Sequence, residues 1–79
     1  MLRKEIGQLT ALRYLILRGN SIKELPKEIG LLNYLQELDV TDNELTSIPP
    51  EITQLESLKS LLTTGNKAED LSLKIKKLS

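Results

Sequence analysis

Three acidic side chains lie close together in this sequence: Glu37, Asp39 and Asp42. Carboxylates so spaced could hold a divalent cation, or act as a general acid and base. Either chemistry also needs an enclosing site. Glu37 and Asp39, two apart on a strand, project side by side on one face with no pocket implied. The chain has no His and no Cys, so imidazole ligation, thiolate chemistry, zinc and disulfides drop out. Gly19-Asn20 and Gly65-Asn66 are lone pairs of the kind found in turns, not a glycine-rich phosphate cradle. No nucleophile stands beside a plausible base. The sequence therefore offers no catalytic residue, no metal ligand and no cofactor-binding residue, and an enzyme is not expected.

The lysines of KIKKL (Lys74, Lys76, Lys77) read as a solvated helix end rather than a phosphate or lipid contact. Eleven basic and eleven acidic residues cancel over the chain. That balance argues against a nucleic-acid partner or an anionic membrane, where a basic excess does most of the binding. No run approaches the ~20 apolar residues that cross a bilayer, so membrane insertion is not expected. The opening MLRKEIGQLT carries charge where a signal peptide would be apolar. A soluble, intracellular (cytoplasmic) setting is the expectation. Seventy-nine residues make one domain with a thin margin of stability, since so short a chain buries only about 60% of its unfolded surface.

A repeat positions these residues. Leu12, Leu35 and Leu58 are 23 residues apart, as are Leu15, Leu38 and Leu61. The same step links Asn20, Asn43 and Asn66, then Leu25, Ile48 and Leu71. It continues through Ile6, Ile29, Ile52 and Ile75, and through Leu9, Leu32, Leu55 and Leu78. Two copies read LRYLILRGNSIKELPKEIGLLNY and LQELDVTDNELTSIPPEITQLES. Each opens on apolar residues at alternating offsets, the period of a strand. The asparagine closes the strand. Later apolar residues fall three and four apart, the period of a helix. Pro26 and Pro49 stand where such a turn begins, and Glu28 and Glu51 follow where a carboxylate meets the positive end of the helix dipole.

These residues carry a resemblance. The pattern L-x-x-L-x-L-x-x-N-x-L-x-x-L-P-x-x-I-x-x-L-x-x resembles the 23-residue intracellular leucine-rich repeats of Ras-suppressor-like scaffolds, Scribble-type polarity proteins, fungal adenylyl cyclases and many bacterial repeat proteins. The resemblance implies an α/β leucine-rich repeat solenoid, with about three short parallel strands on a concave face and short helix or 3-10 segments on the convex face. It implies a protein-protein interaction module that binds through the concave sheet, with a signalling protein such as a small GTPase, kinase or phosphatase as the partner class.

The single domain of residues 1–79 divides into a partial repeat (1–11), two full repeats (12–34 and 35–57), and a last unit (58–79) that is either a degenerate repeat or a C-terminal cap. From Lys67 onward that unit reads as an amphipathic helix with Leu71, Ile75 and Leu78 on one face. Stacking should bury the leucines in a shared core and line up the asparagines as a ladder to backbone groups. Tyr34 should pack against the back of its repeat. No N-terminal cap is visible, so the strand at 14–18 is an expected open edge. A fragment of a larger repeat scaffold is the favoured reading; a structural segment that self-associates through its open ends is the alternative.

Residues between the core leucines face outward. They form the columns Tyr14-Glu37-Ser60, Ile16-Asp39-Leu62 and Arg18-Thr41-Thr64, with Gly19, Asp42 and Gly65 beyond. The expected protein-binding patch is Tyr14, Ile16, Arg18, Glu37, Asp39, Thr41, Asp42 and Leu62. It suits a partner with a basic residue between two apolar ones. Tyr and Arg are enriched among interface hot spots. On the plainer reading Arg18 pairs laterally with Asp39 or Asp42.

Overall fold

The computed structural model describes residues 2–67. Its elements, in chain order, are η1 (Lys4–Gln8), β1 (Tyr14–Ile16), η2 (Lys27–Leu31), β2 (Glu37–Asp39), η3 (Pro50–Gln54) and β3 (Ser60–Leu62), where η denotes a 3-10 helix. The two full repeats each supply one strand and one 3-10 segment, as the 23-residue period requires.

Spacing explains why these are 3-10 segments. After each proline the buried apolar residues fall strictly three apart: Ile29, Leu32, Leu35 and Ile52, Leu55, Leu58. Three residues per turn is the 3-10 period, and it aligns residues i and i+3 on one side. The backbone follows. Ile29 N–H donates to Pro26 O at 3.1 Å, Leu32 N–H to Ile29 O at 3.2 Å, and Leu35 N–H to Leu32 O at 3.0 Å. The next repeat copies this from Pro49 through Leu58. Pro26 and Pro49 hold extended backbone at the N-caps, and Pro50 takes the first turn of η3.

The strands form one parallel sheet in the order β1-β2-β3. Register pairs Leu15 with Leu38 and Leu38 with Leu61, so equivalent positions lie side by side. Between sheet and 3-10 layer sits a core of Ile22, Leu25, Ile29, Leu32, Leu35, Leu38, Val40, Leu45, Ile48, Ile52, Leu55 and Leu58. Leu2, Ile6, Leu12, Leu15, Leu17 and Leu61 pack against it partly buried.

The asparagine ladder is present. Asn43 Nδ2 donates to Leu17 O and Val40 O, each at 2.9 Å, and to Thr41 O at 3.2 Å; its Oδ1 accepts from Ile22 N–H at 3.1 Å. Two of those partners belong to the preceding repeat. Asn66 repeats the arrangement with Val40 O at 3.0 Å and Leu45 N–H at 3.0 Å. Asn20 reaches only carbonyls of its own turn, Leu17 O at 2.8 Å and Arg18 O at 3.4 Å.

Two further columns set the spacing of units. Gly30 lies so close to η3 that a Cβ there would sit 2.8 Å from Glu51 O, and Gly7 meets Glu28 of η2 in the same way. At the strand exits Gly19 and Gly65 both have φ 74, and Asp42 in the same column has φ 57. Left-handed backbone suits Gly, and Asp tolerates it better than most side chains.

Tyr34 departs from expectation. It is 61% exposed rather than packed on the back of its repeat, because the inward positions of that turn are already taken by Leu32 and Leu35. The expected amphipathic helix bearing Leu71, Ile75 and Leu78 lies outside the described residues.

Candidate functional site

Strand alternation turns Leu15, Leu38 and Leu61 inward and leaves two rows of side chains outside. The register places Tyr14, Glu37 and Ser60 in one row and Ile16, Asp39 and Leu62 in the next. Arg18, Thr41 and Thr64 extend the columns past the strand ends, where Gly19 N–H donates to Thr41 O at 3.0 Å and Asp42 N–H to Thr64 O at 2.9 Å. All eight residues expected on the patch are among those described, but they are not equally available.

Tyr14 is 60% exposed, Ile16 54% and Leu62 39%. Three apolar or aromatic side chains thus open to solvent within one three-stranded sheet. Tyr14 Oη donates to Gln36 Oε1 at 3.5 Å, which lays the ring toward the middle strand. Sequence reasoning missed Gln36, whose only signal was its place next to Glu37.

Asp39, flanked by Ile16 and Leu62, is only 5% exposed. Its carboxylate is already committed. Oδ1 accepts from Thr41 N–H at 3.0 Å and Oδ2 faces Arg18 Nε at 3.4 Å. Hydrogen bonds from Thr41, first its side chain and then its backbone N–H, hold the carboxyl below its ordinary value, and the Arg18 guanidinium adds to this. Thr41 itself is buried. The lateral Arg18–Asp39 pair is therefore realised, and Asp39 acts first as an internal brace of the sheet.

Glu37 differs. It is half-buried beside Tyr14 and Ser60, and the two ion pairs among the described residues, Arg18–Asp39 and Lys67–Glu44, do not use it. Asp42 is exposed but turned aside: its left-handed backbone places the carboxylate against Gly65. The structure so gathers Tyr14, Ile16, Glu37, Asp39 and Leu62 on one face, keeps Arg18 and Thr41 at its edge, and sends Asp42 to the corner. Counting Glu37, Asp39 and Asp42 against Arg18 and the exposed Arg13 and Lys59 just before β1 and β3 leaves no net charge on this side.

Among the described residues no group of three or more His, Cys, Asp or Glu gathers to hold a metal ion, and no helix is long and apolar enough to cross a membrane. A recess lies elsewhere. A cleft of about 550 Å³, lined by Leu2, Ser21, Lys23, Glu24, Leu25 and Pro26, opens in front of the first full repeat.

A family model described as a leucine-rich repeat region matches residues 2–79. Among solved structures, a leucine-rich repeat protein of Leptospira interrogans is 42% identical, with a TM-score of 0.89 over 96% of this chain and 19% of that one. The chain thus spans about a fifth of that protein's length. No curated protein matches it.

Proposed function

This chain belongs to the leucine-rich repeat family, and on that premise we propose that it is a protein-interaction module that binds a protein partner on its concave sheet, as part of a larger repeat scaffold. Leucine-rich repeats are typically non-enzymatic interaction scaffolds. The observation that carries the finer reading is the exposure of Tyr14, Ile16 and Leu62 within one small sheet whose inward positions are leucines. Exposed apolar side chains that sit together, ringed by charge, are what a docking surface presents; scattered ones are ordinary. A signalling partner and an intracellular setting belong to the same proposal and rest on the resemblance to the intracellular repeat class.

The test is direct. A partner captured on the immobilised chain and identified should be lost when Tyr14, Ile16 and Leu62 are all changed to Ser, with the circular dichroism spectrum unchanged. Retention of that partner would move the interface off this sheet.

A second reading has its own observation. Among the described residues strand β1 has a neighbour on one side only, and Leu12, Leu15 and Leu17 stay partly exposed. An open edge of this kind is a template for another strand, which favours self-association. Sedimentation equilibrium decides it: a mass that doubles with concentration supports this reading, and a constant monomer mass removes it.

A further inference from the structure

The docking face proposed above carries enough geometry to specify its ligand, and the following rests on that reading. Neighbouring strands lie about 4.8 Å apart, so Ile16 on β1 and Leu62 on β3 stand about 9.6 Å apart across the sheet. Their registered neighbour between them is Asp39, which is buried and already bonded to Thr41 and Arg18. Asp39 therefore offers little free charge outward. The open charge on the middle strand is Glu37, without an ion pair among the described residues and beside the exposed ring of Tyr14.

We infer that this face takes an amphipathic helical segment of a partner protein, lying across the strands, with apolar residues at i and i+7 over Ile16 and Leu62 and a Lys or Arg at i+3 or i+4 reaching Glu37. An α-helix rises about 1.5 Å per residue, so i and i+7 are about 10.5 Å apart, close to the span between the two apolar positions. The residue at i+3 or i+4 lands about 5–6 Å along the helix, above the middle strand. A long basic side chain there reaches two residues, about 7 Å, along the strand to Glu37. The Tyr14 ring flanks the cation, an arrangement favoured by the negative face of an aromatic ring. Charge complementarity agrees at Glu37, whose carboxylate is outside both ion pairs among the described residues.

The test uses the full chain and three alanine-based helical peptides. Each has two leucines seven residues apart on one face; the residue between them is Arg, Gln or Glu. Amide chemical shifts of the chain are followed during titration. The Arg peptide should give saturable shifts centred on Tyr14, Ile16, Glu37 and Leu62, and should bind more tightly than the Gln peptide and much more tightly than the Glu peptide. Glu37→Gln should weaken the Arg peptide about two- to fivefold, the size of an exposed ion pair, and leave the Gln peptide unaffected. Equal binding of all three peptides on this face, or indifference of the Arg peptide to Glu37→Gln, would overturn the cation specificity while leaving the docking face in place. Shifts confined to other residues, or none with any peptide, would overturn the helical ligand altogether, and the face itself would then stand or fall on the capture experiment with the Ser variants.

Discussion

The first and the middle repeats carry inward apolar residues and an asparagine at the same offsets, yet the structure treats them differently. Leu38 and Val40 of the middle strand are fully buried, whereas their counterparts Leu15 and Leu17 are only partly so. Asn43 makes four hydrogen bonds, two of them to the repeat before it. Asn20 bonds only its own turn. Outside, Ile16 stands open while Asp39, its partner in register, is enclosed. The difference comes from neighbours, not from composition: a repeat is completed by what stacks on both its sides.

Three experiments break or sharpen that contrast. The largest effect is expected at Leu38→Ala, which should cost about 2–5 kcal/mol in urea unfolding, a sizeable share of the stability of a small domain. Leu15→Ala, at a half-exposed site, should cost about 1–2 kcal/mol. Equal losses would mean the first strand is as enclosed as the second.

Next comes the ladder. Asn43→Leu takes one of two donors from Leu17 O, Val40 O and Thr41 O and leaves the Ile22 N–H without its acceptor, and about 2–4 kcal/mol should be lost. Asn20→Leu should lose about 1 kcal/mol, because Leu17 O keeps its bond from Asn43. Thermal melts of both variants on one day would show whether the order holds.

The smallest effect concerns Asp39. Its carboxyl titrates below the ordinary 3.8, so below that value the folded chain binds fewer protons than the unfolded one. The stability it contributes is complete above the ordinary range and is lost as pH falls through 3.8 and lower. Asp39→Asn should therefore be less stable than the parent near neutrality and converge with it under acid. Because Thr41 is the leading cause, Arg18→Gln should leave most of the depression intact. An NMR titration of the Asp39 carboxyl carbon reads both outcomes; an ordinary value in Arg18→Gln would transfer the effect to the ion pair.

The period of 23 was enough to read the parallel strands, the inward leucines and the asparagine ladder from the chain alone, because each depends on a residue type that returns in register. It also named which side chains face outward. What it did not carry was availability. Asp39 and Ile16 occupy one column, and the strands on either side of Asp39, with its bonds to Thr41 and Arg18, enclose it while Ile16 stays open. Apolar spacings of three and four left helix and 3-10 segments equally open, and the threes after Pro26 and Pro49 decided it. Tyr34 was misplaced because an aromatic residue in an apolar run suggests packing, while the inward positions were already filled. The close approach at Gly7 and Gly30 had a signal, their own 23-residue step, that is easily passed over beside so many leucines.

That pair of glycines governs how far such an array bends. On the sheet side the step between units is held near 4.8 Å by the strand ladder, so the arc of the ribbon depends on the step at the back. Glycine keeps the back step short and the arc shallow. Thr53 occupies the same column in the next unit, and its hydroxyl donates to Pro50 O at 2.8 Å. How far the sheet side curves is thus set by the smallest residues of the opposite side of the molecule.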